Sequence, residues 1–254
     1  SRPIQARELT QAQSILQNQI ERFGDHMFKE GSIVTGGESN CDMDVRYVKV
    51  SSTNPNSLGT VGVENYRASF DTKYLQGKTS GVVAQVVTSY AESTDDPVTY
   101  IVRYYIAGTD SVNSGSFLAG EDLQEVTIDA NGNAVSAANT NELQILSSDK
   151  TPIGRSSLAE IGEGVIFTRG FFVKVNKQQI TLEKYSGAPS FRIGLQVSET
   201  LVGSSVDATL FDNAQGSSNE NAAGADRLKV ELTLEKQLID SVTDSNFIEL
   251  MRVN

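Results

Sequence analysis

The sequence predicts a mainly β protein of sandwich-like or barrel-like antiparallel sheets, with one long amphipathic α-helix at the N-terminus. Apolar residues recur at steps of three and four only near the start of the chain, and this is the helical period. After Gly31, short β-branched and aromatic runs are separated by turn residues, which is typical of antiparallel sheets. The 254 residues include a single cysteine, so the fold depends on an ordinary hydrophobic core without an internal disulfide.

The helix is predicted over residues 3–30, with Pro3 in its first turn and Gly31 ending it. Its apolar stripe consists of Leu9, Ala12, Leu16, Ile20, Phe23 and Met27. This spacing is close to a heptad, so the stripe predicts a seam against copies of the same helix around a symmetry axis. A helix that lies on its own sheet carries a similar stripe, and the sequence leaves both arrangements open.

A β-rich body is predicted over residues 31–200, followed by an irregular excursion over 201–226 and one or more terminal strands over 227–254. The predicted strands are 44–50, 60–70, 81–90, 98–107, 125–129, 164–176, 179–185, 191–199 and 227–234. Turn chemistry predicts hairpins around Asp96-Pro97, around Lys177 and at the Asn131-Gly132 step. Residues 134–141 are predicted to be a loop, and the chain is expected to continue past residue 254.

Charge and hydropathy exclude two classes of partner. The formal net charge is -11, which opposes binding to the phosphates of nucleic acid. No apolar stretch approaches the roughly 20 residues that a bilayer-spanning helix needs, so we expect no membrane insertion.

The residues for nucleophilic catalysis or metal binding are sparse. The only histidine is His26, at the end of the predicted helix, and the only cysteine is Cys41. A helix-end histidine and a lone cysteine are typical of capping and packing, so we expect no enzyme of the Cys-His type. One of each is too few for a zinc site within one chain, and His26 from several copies on a symmetry axis is the arrangement left open. We expect no metal and no cofactor.

Oxygen-rich sequences suggest two further chemistries. Asp129, Asn131 and Asn133 begin like a calcium loop, but the glycine comes too early and no glutamate closes it, so a tight turn is predicted. Adjacent acids at 95–96 and at Glu121-Asp122 raise the possibility of a glycan depolymerase. Neighbouring strand residues point to opposite faces, which argues against a shared catalytic site.

Tyr100, Tyr104 and Tyr105 lie in one predicted strand. If they were exposed together, they would form an aromatic platform for a receptor or a carbohydrate. If alternate members of the run point inwards, they fill the core instead.

Four blocks of the chain resemble the N-terminal part of tail-fibre and baseplate-associated virion structural proteins of tailed bacteriophages, of the myovirus and cyanophage type. The blocks are residues 2–37, 170–199, the step Asp212-Asn213-Ala214, and residues 219–236. The resemblance implies a non-enzymatic attachment module in the virion that binds other tail or baseplate proteins and self-associates, with a trimer favoured. It carries over no catalytic residue.

Overall fold

The computed structural model describes residues 6–57, 61–108, 115–137, 141–147, 151–213, 215–242 and 244–254. Several positions singled out from the sequence lie outside these ranges, namely residues 3–5, Thr60, residues 138–140 and Ala214.

The described chain is mainly β, with one α-helix at the N-terminal side, so the predicted fold class is confirmed. The helix α1 spans Ala6–Met27. The strands are β1 Ser32–Gly36, β2 Ser39–Asp42, β3 Arg46–Lys49, β4 Tyr74–Gly77, β5 Val83–Tyr90, β6 Thr99–Ile106, β7 Asp122–Ile128, β8 Ala134–Ser136, β9 Glu142–Gln144, β10 Ile153–Arg155, β11 Ser157–Ile161, β12 Gly164–Thr168, β13 Phe171–Val175, β14 Gln178–Glu183, β15 Phe191–Val202, β16 Arg227–Leu238 and β17 Phe247–Val253.

The chain divides into two compact units, each assembled from separate segments. The helix unit comprises Ser1–Asn40, Ala159–Ile180 and Ser190–Asn254, and the sheet unit comprises Cys41–Leu158 and Thr181–Pro189. A further three-stranded sheet has the order β14-β11-β2.

The sheet unit is built on an eight-stranded sheet of order β10-β3-β6-β5-β4-β7-β8, in which β9 also pairs with β7. Alternation along β6 places Tyr100 and Val102 on one face, in the larger apolar cluster with Phe70 and Leu75. Ile101 points to the other face and joins a smaller cluster that includes Val45, Tyr47 and Leu158. Both faces of the central strands are therefore covered.

The helix unit contains α1 and two three-stranded antiparallel sheets of order β1-β12-β13 and β16-β15-β17. Its fully or nearly buried apolar residues include Ile166 and Phe167 of β12, and Ile193 and Leu195 of β15. β15 and β16 pair along their whole length, from Phe191↔Leu238 to Val202↔Arg227. β17 covers only the first half of β15, from Phe191 to Gln196.

The predicted strand over residues 60–70 is wrong. The described part of this segment forms two short 3-10 helices, Val63–Asn65 and Arg67–Phe70. Val63, Tyr66 and Phe70 are buried at steps of three and four, which places them on one side of a helical path. The β-branched and aromatic composition concealed this helical spacing.

Two predictions around residue 170 are also wrong. The single predicted strand over residues 164–176 is a hairpin of β12 and β13, because Arg169 (φ 51°) and Gly170 (φ 77°) form a tight turn of left-handed residues. The strands on either side of Lys177 do not form the predicted hairpin, since β13 pairs with β12 whereas β14 pairs with β11.

The helix α1 also ends earlier than predicted. Its last residue is Met27, four residues before Gly31.

The other two predicted hairpins are confirmed. β5 pairs antiparallel with β6 across the turn at Asp96, where Ser93 and Asp96 form an isolated bridge. β7 pairs with β8 across the Asn131-Gly132 step, and Gly132 has a φ of 84°. The start of the predicted loop at residues 134–141 is therefore the strand β8. β15 extends to Val202, into the predicted irregular excursion at residues 201–226, and no regular strand occurs in the described part of residues 203–226.

Candidate interaction surface

The apolar stripe of α1 is exposed. The exposed fractions are 60% for Leu9, 60% for Leu16, 44% for Ile20, 62% for Phe23 and 64% for Met27. Ala12 is exposed as well. Side chains of this size are normally covered in a folded protein, so a contiguous run of them marks a surface for another molecule.

The stripe follows a heptad register. At 3.6 residues per turn, Leu9, Leu16 and Phe23 repeat every seven residues in the position conventionally called d, and Ile20 and Met27 occupy position a. Gln13 occupies the a position one heptad before Ile20. These six residues lie within an arc of about 80° on the helix, and we call them the seam. Ala12, which the sequence analysis places in the stripe, lies on the flank at position g.

One end of α1 is fixed to the helix unit by a close approach to β12. Gly24 is buried, and a Cβ atom added to it would lie 2.2 Å from Cε2 of Phe167. The ring of Phe28, just after the helix, packs at a tilt against Phe167, with centroids 5.9 Å apart, and edge-to-face against Phe172, with centroids 5.7 Å apart. The helix therefore leans against its own hairpin at this end, while its seam stays exposed.

Glu30 anchors the turn of the same hairpin. Its carboxylate accepts hydrogen bonds from the backbone N–H of Arg169, at 2.9 Å, and from the hydroxyl of Thr168. The Arg169 guanidinium in turn forms an ion pair with Glu199 at 2.7 Å and donates to the side-chain oxygen of Asn246. These bonds hold the left-handed turn at Arg169-Gly170 to the segment that follows the helix and to the sheet of β15.

An apolar groove runs between the seam and the hairpin. It has a volume of about 240 Å³ and is lined by Gln13, Leu16, Gln17, Ile20, Gly170, Phe171 and Phe172. This volume is below the roughly 300–1,000 Å³ typical of small-molecule sites, so the groove suits a few protruding side chains better than a bound metabolite.

The seam and its flanking positions e and g carry no Asp, Glu, Lys or Arg. The charged residues of α1 are Arg7, Glu8, Glu21, Arg22 and Asp25. All five lie at positions b, c or f of the heptad, and Glu21, at position b, lies beside Gly170 at the edge of the groove. In a chain with a net charge of -11, the lack of Asp and Glu in the seam and at its flanks limits like-charge repulsion between copies there.

Sequence reasoning missed three residues of this surface. Gln13 was not assigned to the stripe because it is polar, although its heptad position was available from the sequence. Phe171 and Phe172 were assigned to an uninterrupted strand, and only the turn at Gly170 brings them beside the helix. Phe172 is 39% exposed.

The three tyrosines of β6 do not form a common platform. Tyr100 is 1% exposed and donates to the backbone oxygen of Arg67, and its burial raises the pKa of its hydroxyl above the usual range. Tyr104 is half-buried against the same core, whereas Tyr105 is exposed on the opposite face. The alternation along the strand separates them.

His26 and Cys41 lie in different units, and nothing in their surroundings marks a nucleophile. His26 is exposed near the end of α1. Cys41 is half-buried in β2, and burial together with the neighbouring Asp42 raises the pKa of its thiol. A raised pKa leaves less thiolate at neutral pH, so the thiol is less reactive than an ordinary one.

Two of the acidic residues singled out from the sequence, Asp129 and Glu121, accept hydrogen bonds from backbone N–H groups of loops. Asp129 accepts from the backbone N–H groups of Asn133 and Asn131, both at 2.8 Å, and these bonds lower the pKa of its carboxyl. Glu121 is buried and accepts from the backbone N–H groups of Leu118 and Ser80. Both carboxylates therefore have a structural role, because each holds a loop in place by accepting its backbone hydrogen bonds.

Asp96 belongs to a cluster of cations and tyrosines in the sheet unit. Its carboxylate lies 2.5 Å from the ammonium of Lys184 and 3.8 Å from that of Lys49, and it accepts from the Tyr185 hydroxyl. The Lys49 ammonium also lies 4.1 Å from the centroid of the Tyr185 ring. Asp95, its neighbour in sequence, is exposed, so the two acids do not share a cleft.

Metal-binding clusters and membrane-spanning helices are both absent from the described residues. No group of three or more His, Cys, Asp or Glu side chains there is arranged to hold a metal ion. Within the same ranges, no helix combines the length and the hydropathy that crossing a bilayer requires.

Comparison with known proteins gave no match to a family model, to a curated protein or to a solved structure.

Proposed function

We propose that this chain is a structural protein of a tailed-phage virion, the attachment module of a baseplate or tail-fibre component. In this proposal it works by binding protein to protein, without a reacting group. Its partners are copies of itself and other tail or baseplate proteins, with three copies as the proposed assembly. The single observation that carries the proposal is the exposed, uncharged seam of α1.

The size of the seam supports an association of useful strength. Fully burying a Leu-sized or Phe-sized side chain is worth about 1.5–3 kcal/mol, and the five apolar seam residues are each roughly half exposed. Covering them therefore contributes on the order of 5 kcal/mol per copy. Association itself costs about 4–15 kcal/mol, so two or three copies must contribute together.

The assignment to a virion is supported by the four sequence blocks that resemble phage tail proteins. An N-terminal helix with a narrow apolar seam, followed by a β-rich body, suits a symmetric attachment module. The seam would hold the copies together near the axis. The loops of the β-rich body would then be available for neighbouring virion proteins.

Solution mass tests the self-association. We expect the wild-type chain to be an oligomer by light scattering, and the double variant Leu16→Asp, Ile20→Asp to be monomeric, because it places two carboxylates in the seam of every copy. The matched control is Gln11→Asp, Asn18→Asp, which adds the same charge at two exposed f positions. A monomeric wild type, or equal masses for both double variants, would contradict the proposal.

A further inference from the structure

We infer that the copies of α1 associate in parallel and in register, so that the Gln13 side chains of all copies meet in one layer of the seam. This inference rests on the proposed self-association and specifies its geometry. Gln13 is the single polar residue among the six seam positions, and its side chain lines the apolar groove beside Leu16 and Ile20.

The amide of Gln13 decides between the two possible orientations. When the seam is covered, the amide loses water, and it is stabilised only where it meets another hydrogen-bonding group. In a parallel, in-register association each Gln13 faces the Gln13 of its neighbours, whose amides supply both donors and acceptors. A polar residue at one a position is also a known way to fix the register of associating helices.

Antiparallel association leaves either the Gln13 amide without a hydrogen-bonding partner or part of the seam exposed. If the helices are centred so that Leu9 meets Met27, Gln13 lies opposite Phe23, and each amide is buried against an aromatic ring. If they are shifted so that Gln13 meets Gln13, only residues 6–20 overlap, and Phe23 and Met27 remain exposed. Neither antiparallel register buries the whole seam and also satisfies Gln13.

The occupant of the groove is accordingly a second copy of α1. The seam positions and their flanks at e and g contain no Asp, Glu, Lys or Arg, so identical copies with a net charge of -11 each can approach here without bringing like charges together. The groove is also the right size for side chains rather than for a metabolite. Parallel helices would place Phe172, at the hairpin edge of the groove, at the same end in every copy.

Disulfide trapping in the full chain tests the orientation. Cys41→Ser provides a background without cysteine, and Leu9→Cys or Met27→Cys then places one thiol at either end of the seam. Each single variant should form a disulfide-linked dimer on mild oxidation, because parallel association brings identical positions within bonding distance. Asn18→Cys, at an exposed f position, is the control that should not cross-link.

An antiparallel association would give a different pattern of disulfide cross-links. An antiparallel association would leave each single variant poorly linked, whereas a mixture of Leu9→Cys and Met27→Cys chains would form the mixed dimer. That outcome would overturn the inference while leaving the proposed self-association intact. A monomeric wild type by light scattering would instead overturn the proposed function itself.

Gln13→Leu supplies a second measurement that keeps every apolar residue of the seam. We expect association to tighten about tenfold, because a buried polar layer is replaced by an apolar one. We also expect cross-linking of Leu9→Cys to fall at least about twofold, since the helices then lose the group that fixes their register. Tighter association with unchanged cross-linking would show that Gln13 does not set the orientation.

Discussion

The contact between Gly24 and Phe167 shows how one missing side chain positions α1. Glycine inside a helix normally destabilises it by about 0.5–1 kcal/mol relative to alanine. Here a Cβ atom would lie 2.2 Å from the Phe167 ring, closer than any real contact. Glycine at this position therefore makes the helix itself less stable but allows it to approach β12 closely.

The variant Gly24→Ala tests this explanation. On propensity alone it should stabilise the protein, but we expect it to lower the free energy of unfolding by about 1–3 kcal/mol, the usual range for overpacking. Urea denaturation monitored by circular dichroism measures the change. The control is Gly115→Ala, where an added Cβ meets nothing within 4 Å.

A compensating change sharpens the same test. Phe167→Leu removes the ring that the alanine would strike, so the double variant Gly24→Ala, Phe167→Leu should lose less stability than the two single losses combined. Simple additivity would show that the ring contact is not what selects glycine.

At the scale of elements, Asp96 joins the turn between β5 and β6 to two other parts of the sheet unit. Lys49 comes from β3, and Lys184 and Tyr185 follow β14. Burial raises the pKa of the Asp96 carboxyl, but the hydrogen bonds from Lys184 and Tyr185 and the charges of the two lysines outweigh it, so the pKa lies below its usual value of 3.8. Folding thus favours the ionised form.

This lowered pKa predicts a pH dependence of stability. The stabilisation from Asp96 should be fully present above the usual, unfolded-state pKa of 3.8 and should be lost as the pH falls through the lower folded-state pKa. At pH 7 we expect Asp96→Asn to cost about 1–2 kcal/mol of unfolding free energy. The difference between wild type and variant should shrink steadily below about pH 4.

Urea midpoints measured from neutral to acidic pH test this prediction, and the exposed neighbour provides the control. Asp95→Asn removes the same charge from the same turn and should leave the midpoint at pH 7 nearly unchanged. A difference between Asp96→Asn and wild type that stays constant below pH 4 would rule out the ion pairs as its source.

At the scale of the whole molecule, the distribution of charge sets the conditions for association. The chain carries 32 acidic and 21 basic residues, so copies repel one another at long range, yet the seam and its flanks are neutral. Salt therefore screens repulsion between the copies without weakening attractive ion pairs across the seam.

We expect self-association to strengthen when the salt concentration rises from about 0.05 M to about 0.5 M, over which the Debye length falls several-fold. Sedimentation equilibrium at both concentrations measures the change. A nucleic-acid complex would show the opposite and steep dependence. Weaker association at high salt would indicate that ion pairs, and not the neutral seam, hold the copies together.

The sequence predicted the fold class, the helix and two of the three hairpins because each depends on a local pattern. The steps between Leu9, Leu16 and Phe23, and the Asn131-Gly132 turn, are readable without any knowledge of distant residues. The same local patterns failed for residues 60–70, where Val63, Tyr66 and Phe70 pack on a helical path against the core. Composition indicated a strand there, but packing against residues distant in sequence favoured 3-10 helices.

The sequence by itself determined the seam: its heptad, its single polar position at Gln13 and its lack of charge follow from the order of residues alone. Only the tertiary structure decided that the seam stays exposed, and that the turn at Arg169-Gly170 brings Phe171 and Phe172 beside it. The physical reason is distance along the chain. Periodicity is set by neighbours a few residues apart, whereas the groove brings Leu16 and Ile20 together with Phe171 and Phe172, which lie more than a hundred residues later in the chain.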